Sequence, residues 1–499
     1  MNKSAARSIP PVAGAARTGA SYLASIKDDG RSVFCDGELI RDVTTHPAFR
    51  GAARSLARLF DVAADPANAA IMTFPSPKTG APVWRCYEVP KTTADLAARR
   101  LMSARWAEET FGLMGRTPDH VAGFLAGYAA KPSVFAEHGK QFADNVIRYH
   151  ERARDNHLYL SYAIVPPQID RSKPAHKQSD PTLHAGVVKE RDDGIVLKGC
   201  QQLATGAAFS DAVYISCIHP LTPGDEAYAF AVAVPANAPG LKIYTRRPYA
   251  SAATSTFDYP LSTRFDEIDA LLVLDDVFVP WENVFCHRNL QLCRDQWWRT
   301  PSHSYGNHQS QVRYAAKLRF LMGLTKRLCE ITGIDAMPPV QIQLGEMAAF
   351  ATIVESMVRA QETEATIDGE GTVWPSKTAL YAVMSLQSEI NPRLNNTLRE
   401  LAGGSIIMLP SSIKDFHNPA TAADIERYIA SPGFSSKQRV AILKLVWDFI
   451  GTEFAGRHEQ YEKFYGGASF LVKQNMARAY DFAGATKMVE RALNLPPDA

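Results

Sequence analysis

No stretch of this sequence reaches the roughly 18 consecutive apolar residues that a membrane-spanning helix needs. Neither charge sign dominates: 54 Lys and Arg against 52 Asp and Glu leave a net charge of +2, so no nucleic-acid footprint stands out. No GxGxxG and no Walker-type loop occurs, which leaves dinucleotide or P-loop binding without support. GxSxG is missing as well. Cysteine is sparse and scattered: seven residues, odd in number and without a CxxC, fit reduced thiols in a cytoplasmic protein. Cys286-His287 and Cys293 lack zinc-ligand spacing, and no metal site is expected. The first residues are basic but broken by Pro10 and Pro11, with no compact apolar core, so a secretory signal is not expected. These absences leave a cytoplasmic globular enzyme or binding protein.

With 499 residues, 46% apolar and 21% charged, there is material for two or three ordinary domains. Three regions follow one another, which we divide at 1–157, 158–290 and 291–499. The first is helical in pattern: Thr92 and Asp95 resemble a capping box, Thr117-Pro118-Asp119 starts a second helix, and Gly139–Arg154 reads as a third. The second carries short β-branched runs at Leu158–Val165, Gly194–Lys198, Ala212–His219, Ala227–Val234, Leu241–Thr245 and Leu271–Leu274. No helical crossovers separate them, which argues a compact antiparallel barrel or sandwich. The third returns to helices at Gln309–Thr332, Val340–Thr363, Ser376–Leu401, Ala420–Ile429, Ser436–Phe454 and Phe470–Asn494, a long-helix bundle.

On the helix from Thr92 to Phe111, Leu96, Arg99, Ser103, Trp106 and Thr110 share one face. A cation in a partly apolar stripe demands a partner. That partner is either an acidic residue of a neighbouring helix or a bound or developing negative charge. Gln168 and Arg171, in PPQIDR after a strand, suit the polar edge and phosphates of a ligand, and equally a solvated loop. The small-residue loop Ala204–Ala208, with Thr205, would let backbone approach a planar ring, or simply connects strands. His303 and His308 sit just ahead of a long helix, where a histidine could act as a base; their spacing of five gives no shared helical face.

Several segments recur in order in a known family: Arg17-Thr18-Gly19, Thr44–Arg50, Gly112–Asp119, Pro167–Arg171, Asp275–Trp281 and Asp415-Phe416. On them the chain resembles the reduced-flavin-dependent phenol hydroxylases, the family of the oxygenase components of 4-hydroxyphenylacetate and nitro- or chlorophenol monooxygenases. The resemblance implies an acyl-CoA dehydrogenase-like fold with an N-terminal α-helical domain, a central antiparallel β-barrel and a C-terminal long-helix bundle, usually as a homotetramer. It implies FAD, delivered as FADH2 by a separate NAD(P)H-dependent flavin reductase, and O2 as co-substrate. Oxygen adding at flavin C4a would hydroxylate a phenol ortho to its hydroxyl. Carried over by position, Arg99 would face flavin and substrate, with His308 at the pocket as a base and Tyr162 as its hydrogen-bonding partner. Gln168, Arg171, Thr205, Arg457, Ala468 and Ser469 would contact flavin.

Two departures bear on substrate. Ser103 stands where the 4-hydroxyphenylacetate enzymes carry a tyrosine, and Tyr162 where they carry a histidine. The resemblance therefore supports the chemistry better than it supports that particular phenol. Two rivals remain: an acyl-CoA dehydrogenase or dehydratase on the same scaffold, and a non-catalytic helical scaffold. Dehydratase relatives hold an iron–sulfur cluster through several cysteines, and no cysteine lies on the helix from Thr92 to Phe111.

Overall fold

The computed structural model describes residues 16–493. The N-terminal targeting expectation and Asn494, the end of the last expected helix, lie outside them. The helical–strand–helical order read from the sequence is present. Thr92 and Asp95 do form a capping box at the start of Thr93–Glu109, and Pro118 opens Pro118–Ala130 at its first turn. The face shared by Leu96, Arg99, Ser103, Trp106 and Thr110 is buried throughout.

The central region departs from expectation. It is not a closed antiparallel barrel but two open, mixed sheets. The larger runs Glu38–Ile40, Ser32–Cys35, Leu241–Thr245, Ala270–Pro280, Gly194–Gln201, Gly186–Arg191; the smaller runs Val284–His287, Phe230–Pro235, Ala212–Ser216, Leu160–Ala163. Ser32–Cys35 lies parallel to Leu241–Thr245, and Leu160–Ala163 parallel to Ala212–Ser216. Parallel neighbours need long crossovers, and the chain supplies them. After Ala163 it builds the hairpin Gly186–Gln201 in the larger sheet and then returns beside the strand it left. Ala212–Ser216 is buried on both faces, covered on one side by helix.

In the C-terminal region the helix Ser302–Thr332 is the spine, against which Pro338–Thr363 and Lys377–Ala402 pack. It begins ahead of the expected Gln309, so His303 and His308 lie inside it rather than before it. The expected Ser436–Phe454 breaks into Ser436–Ile450 and Glu453–Phe464, because Thr452 caps a new helix. Asp481 likewise splits the last expected helix into Ser469–Ala479 and Phe482–Ala492.

Pro118–Ala130 crosses the spine closely and is buried nearly all round, as a central helix must be. The crossing depends on glycine: a Cβ on Gly127 would stand 2.3 Å from Ser302 Cα.

One ion pair ties the N-terminal segment to the smaller sheet. Arg17 donates to both Asp211 oxygens at 2.6 and 2.8 Å and to the His157 carbonyl at 3.0 Å. Asp211 also accepts the Tyr159 N–H at 2.8 Å. Arg17→Met leaves that carboxylate buried without its cation, which costs about 3–5 kcal/mol. Chemical denaturation is expected to show that loss and a smaller one for Arg17→Met/Asp211→Asn; equal losses would contradict a buried-charge penalty.

Candidate active site

The spine presents Tyr305, Gln309, Arg313 and Lys317 at steps of four along one side. Each meets a different part of the N-terminal helices or the bundle. Tyr305 lies under the Arg99 guanidinium, 5.2 Å from it. Arg313 and Lys317 hold Glu462, which also accepts from Gln387 at 2.6 Å.

Gln309 reaches the start of Pro118–Ala130. Its Nε2 donates to Asp119 Oδ1 at 3.1 Å and to Thr117 Oγ1 at 3.3 Å, and its Oε1 lies 3.1 Å from His120 Nδ1. Thr117 also donates to Asp119, at 2.5 Å. Burial pushes the Asp119 carboxyl up, against the hydrogen bonds of Thr117, Ser103 and Gln309. His120 is fully buried and its Nε2 has no partner. Burial first, and Arg116 second, hold its imidazole well below the usual histidine range.

Around that bare nitrogen stand aromatic rings. Phe124 is 5.1 Å from the imidazole, Tyr162 5.3 Å and Tyr465 6.4 Å, centroid to centroid. Arg116 lies against Tyr162, Tyr461 and Tyr465 at 5.1, 5.3 and 4.9 Å and donates to Tyr461 Oη at 3.0 Å. Desolvation opposes its charge, but the tyrosines and Glu267 outweigh it and the guanidinium stays protonated. Burial pushes the Tyr162 phenol up, so it stays neutral. Arg116, Tyr162 and Tyr465 are only half-buried, so this ring cluster reaches towards the surface.

Below Arg116 is a charged floor. Its main-chain N–H meets the Glu267 carboxylate, and its carbonyl accepts from Tyr159 Oη at 2.8 Å. Arg457 pairs with Asp269 at 2.7 Å and Glu267 at 3.2 Å, and Thr205 donates to Asp269 at 2.7 Å. Arg457 and Arg246 hold the Asp269 carboxyl far below the usual range despite burial.

The sequence-predicted residues thus fall into separate places. Tyr162 packs on the His120 ring, and Ser103 supports Asp119 behind it. Thr205 and Arg457 meet through Asp269. Arg99 makes no ion pair with an acidic residue among the described residues; its partners are dipolar, the carbonyls of Cys86 and Glu88, both at 2.6 Å. His308 Nε2 lies 3.1 Å from Glu362, which pairs with Arg100 at 2.8 Å, and no hydrogen bond joins it to Tyr162. Gln168 and Arg171 are exposed and line a cavity of about 320 Å³ with Pro166, Pro167, His184 and His219. Arg171 makes no salt bridge among the described residues. Ala468 caps the helix Ser469–Ala479 just beyond Tyr465, half-buried, with Ser469 exposed.

Sequence reasoning missed Arg116, His120, Phe124, Gln309 and Tyr465. The available signals were a histidine inside an otherwise apolar helix and the Tyr461/Tyr465 pair one turn apart.

The structure is a helix–sheet–bundle protein with a cluster of aromatic rings packed around His120 where its parts meet. A family model described as 4-hydroxyphenylacetate 3-hydroxylase N terminal matches residues 18–286, and its C-terminal counterpart matches 293–494. The chain belongs to that family. It is 36% identical over 489 residues to the 4-hydroxyphenylacetate 3-monooxygenase oxygenase component of Pseudomonas aeruginosa, covering 95% of this chain and 92% of that one. It is 35% identical to the 4-nitrophenol 2-monooxygenase oxygenase component of a Rhodococcus species, covering 94% and 89%. A crystal structure of the 4-hydroxyphenylacetate 3-monooxygenase oxygenase component complexed with FAD and 4-hydroxyphenylacetate has a TM-score of 0.90 at 32% identity, covering 96% and 98%.

Glu462 sets a pH signature for the floor of the site. Burial favours its neutral form, but Arg313 and Lys317 outweigh that and its pKa is pushed down to about 2. A depressed carboxylate stabilises the fold above its unfolded value of 4.5, and that contribution is lost as pH falls towards 2. The loss is on the order of 3 kcal/mol. Glu462→Gln is expected to flatten the acid limb of the stability profile over that window; a limb as steep as wild type would count against the assignment.

Proposed function

We propose that this chain is the oxygenase component of a two-component flavin monooxygenase that hydroxylates a phenol ortho to its hydroxyl. The observation that carries the reading is the cluster of Arg116, His120, Phe124, Tyr162 and Tyr465. It offers apolar walls for a flat ring and, at one end, a bare acceptor beside a fixed cation for a single polar oxygen. The overall balance is one phenol, O2 and FADH2 giving the hydroxylated phenol, FAD and water. NAD(P)H enters only through a separate reductase, which the chain's lack of a dinucleotide fingerprint supports.

The residues present fit a flavin. Gln168 and the unpaired cation Arg171 border the large cavity, suited to the polar edge and phosphates of FAD. Thr205, held by Asp269, and Arg457, with the turn at Ala468 and Ser469, complete the proposed contacts. When bound and reduced, the flavin supplies, with O2, the oxygen atom that is transferred. Phe124, Tyr162 and Tyr465 exclude water from the reacting ring. Arg99 under Tyr305, Ser103 behind Asp119, and His308 on Glu362 hold the helix Thr93–Glu109 and the spine in position around the pocket.

Cytoplasmic location and a homotetramer complete the reading. No helix among the described residues is long and apolar enough to cross a membrane, and all seven cysteines are free. Phe482, Met488, Val489 and Leu493 expose an apolar face at the C-terminal end that a second copy would cover.

With a generic flavin reductase, NADH and FAD, mass spectrometry is expected to find one added oxygen on at least one phenol of a panel. The purified protein alone is expected to be nearly colourless, to bind FADH2 more tightly than FAD, and not to oxidise NADH. A yellow protein that consumes NADH unaided would sink the proposal. Because Ser103 and Tyr162 replace a tyrosine and a histidine, kcat/KM is expected to be higher for a nitro- or chlorophenol, phenol or a tyrosine-derived substrate than for 4-hydroxyphenylacetate. The reverse order would show that those two replacements do not reshape the site.

A further inference from the structure

We propose that Asp119 and Gln309 lock His120 in its Nδ1–H tautomer, so that bare Nε2 receives the hydroxyl of a neutral phenol. The proposal rests on the phenol-hydroxylase reading and adds to it the protonation state of the substrate and two positioning residues.

The lock follows from donor and acceptor roles. Thr117 gives its one hydroxyl proton to Asp119 Oδ1, so towards Gln309 its Oγ1 can only accept, and the Gln309 group that faces both Thr117 Oγ1 at 3.3 Å and Asp119 Oδ1 at 3.1 Å is its NH2. The carbonyl end of the same amide then faces His120 Nδ1 at 3.1 Å, and a carbonyl can only accept. The imidazole proton is therefore on Nδ1 and a lone pair on Nε2. Asp119 sits in the first turn of Pro118–Ala130, where the helix dipole favours an anion, and Thr117 donates to it at 2.5 Å. The direction of the chain Asp119–Gln309–His120 is thus fixed from the Thr117–Asp119 end.

Nε2 is buried and has no hydrogen-bond partner. The charged and titratable groups facing this histidine are Arg116 at the head of its own helix, Tyr162 on Leu160–Ala163, Tyr465 after Glu453–Phe464, and Arg313 on the spine. Two cations and no carboxylate face the imidazole directly, so it remains neutral and cannot itself donate from Nε2. A phenolate would set its oxygen against that lone pair, whereas a phenol donates its O–H to it.

A weak base suffices here because the substrate becomes acidic during the reaction. As a ring carbon gives an electron pair to the incoming oxygen atom, positive charge spreads to the phenol oxygen and its proton passes to Nε2. As aromaticity returns the ring C–H proton ends on the second oxygen atom, which leaves as water, and Nε2 hands its proton back to the phenol oxygen. The reducing pair that turns the second oxygen atom into water comes from FADH2.

The test uses the full-length protein with reductase, FAD, NADH and an acidic nitrophenol. Gln309→Met is expected to lower kcat/KM on the order of 10²-fold and divert NADH to peroxide, with FADH2 affinity unchanged. Asp119→Asn frees the amide to turn and is expected to fall similarly. In wild type kcat/KM is expected to fall as pH rises through the substrate's own ionisation. In parallel, 15N-histidine spectra of the ligand-free protein are expected to show an Nδ1–H imidazole that Gln309→Met abolishes. Unchanged kcat/KM and coupling in folded Gln309→Met, or preference for the phenolate, would each overturn the proposal. If wild type hydroxylates no phenol at all, the oxygenase reading falls and the substrate half of this proposal with it. The tautomer half is decided by the histidine spectra in either case.

Discussion

The close crossing of Pro118–Ala130 over the spine helix Ser302–Thr332 is the constraint on which the pocket depends. Gly127 against Ser302, and Gly306 under the Phe124 ring, let the two backbones approach to distances that side chains would forbid. At that separation Gln309 spans from the spine to Asp119 and His120 without water between them. The same approach buries the first turn of Pro118–Ala130, so Thr117, Asp119 and Gln309 must satisfy one another, and they do. Packing that looks purely structural thereby dictates which way a hydrogen-bonded chain can run.

Electrostatics builds the rest. Arg116, Arg457, Arg313 and Lys317 are drawn into one interior region, and Glu267, Asp269 and Glu462 are drawn in with them. Burying such charges is tolerable only when they are paired and hydrogen-bonded, and each carboxylate here meets at least one cation or donor. Arg116 differs from the others because its main-chain N–H, not its guanidinium, takes the carboxylate. Its cationic face is left to three tyrosine rings.

Much of this was legible in the sequence, and what was not has physical causes. Long helices show themselves by periodicity, and the capping box at Thr92 marked its helix start correctly. Alternation tells which face of a strand is covered, not whether a sheet closes, so open mixed sheets read as a barrel. Ser32–Cys35 and Glu38–Ile40 were invisible because they are short, and the strand through which this hairpin joins the sheet, Leu241–Thr245, lies far along the chain. Tyr162, Thr205 and Arg457 came from ordered family resemblance, and each lies at the pocket or its floor. His120 carries no periodic signal at all: on a helix buried all round, nothing in the spacing separates a functional position from a packed one.

Arg99 and Arg116 show where a sequence argument about a buried cation reaches its end. Both are arginines near the same helix junction, both are held among aromatic groups, and cost alone demands partners for each. Arg99 finds two main-chain carbonyls beside the short turn Arg85–Tyr87, acceptors that stay put whatever happens in the pocket. A cation so satisfied fixes geometry. Arg116 gives one hydrogen bond to Tyr461 and otherwise presents its face to the rings packed around His120. Its field also weighs on His120 and keeps that imidazole uncharged. The basicity of the pocket is then conditional: it appears only when a bound ring becomes acidic enough to need it. That couples proton acceptance to oxygen transfer and leaves the resting site electrostatically quiet.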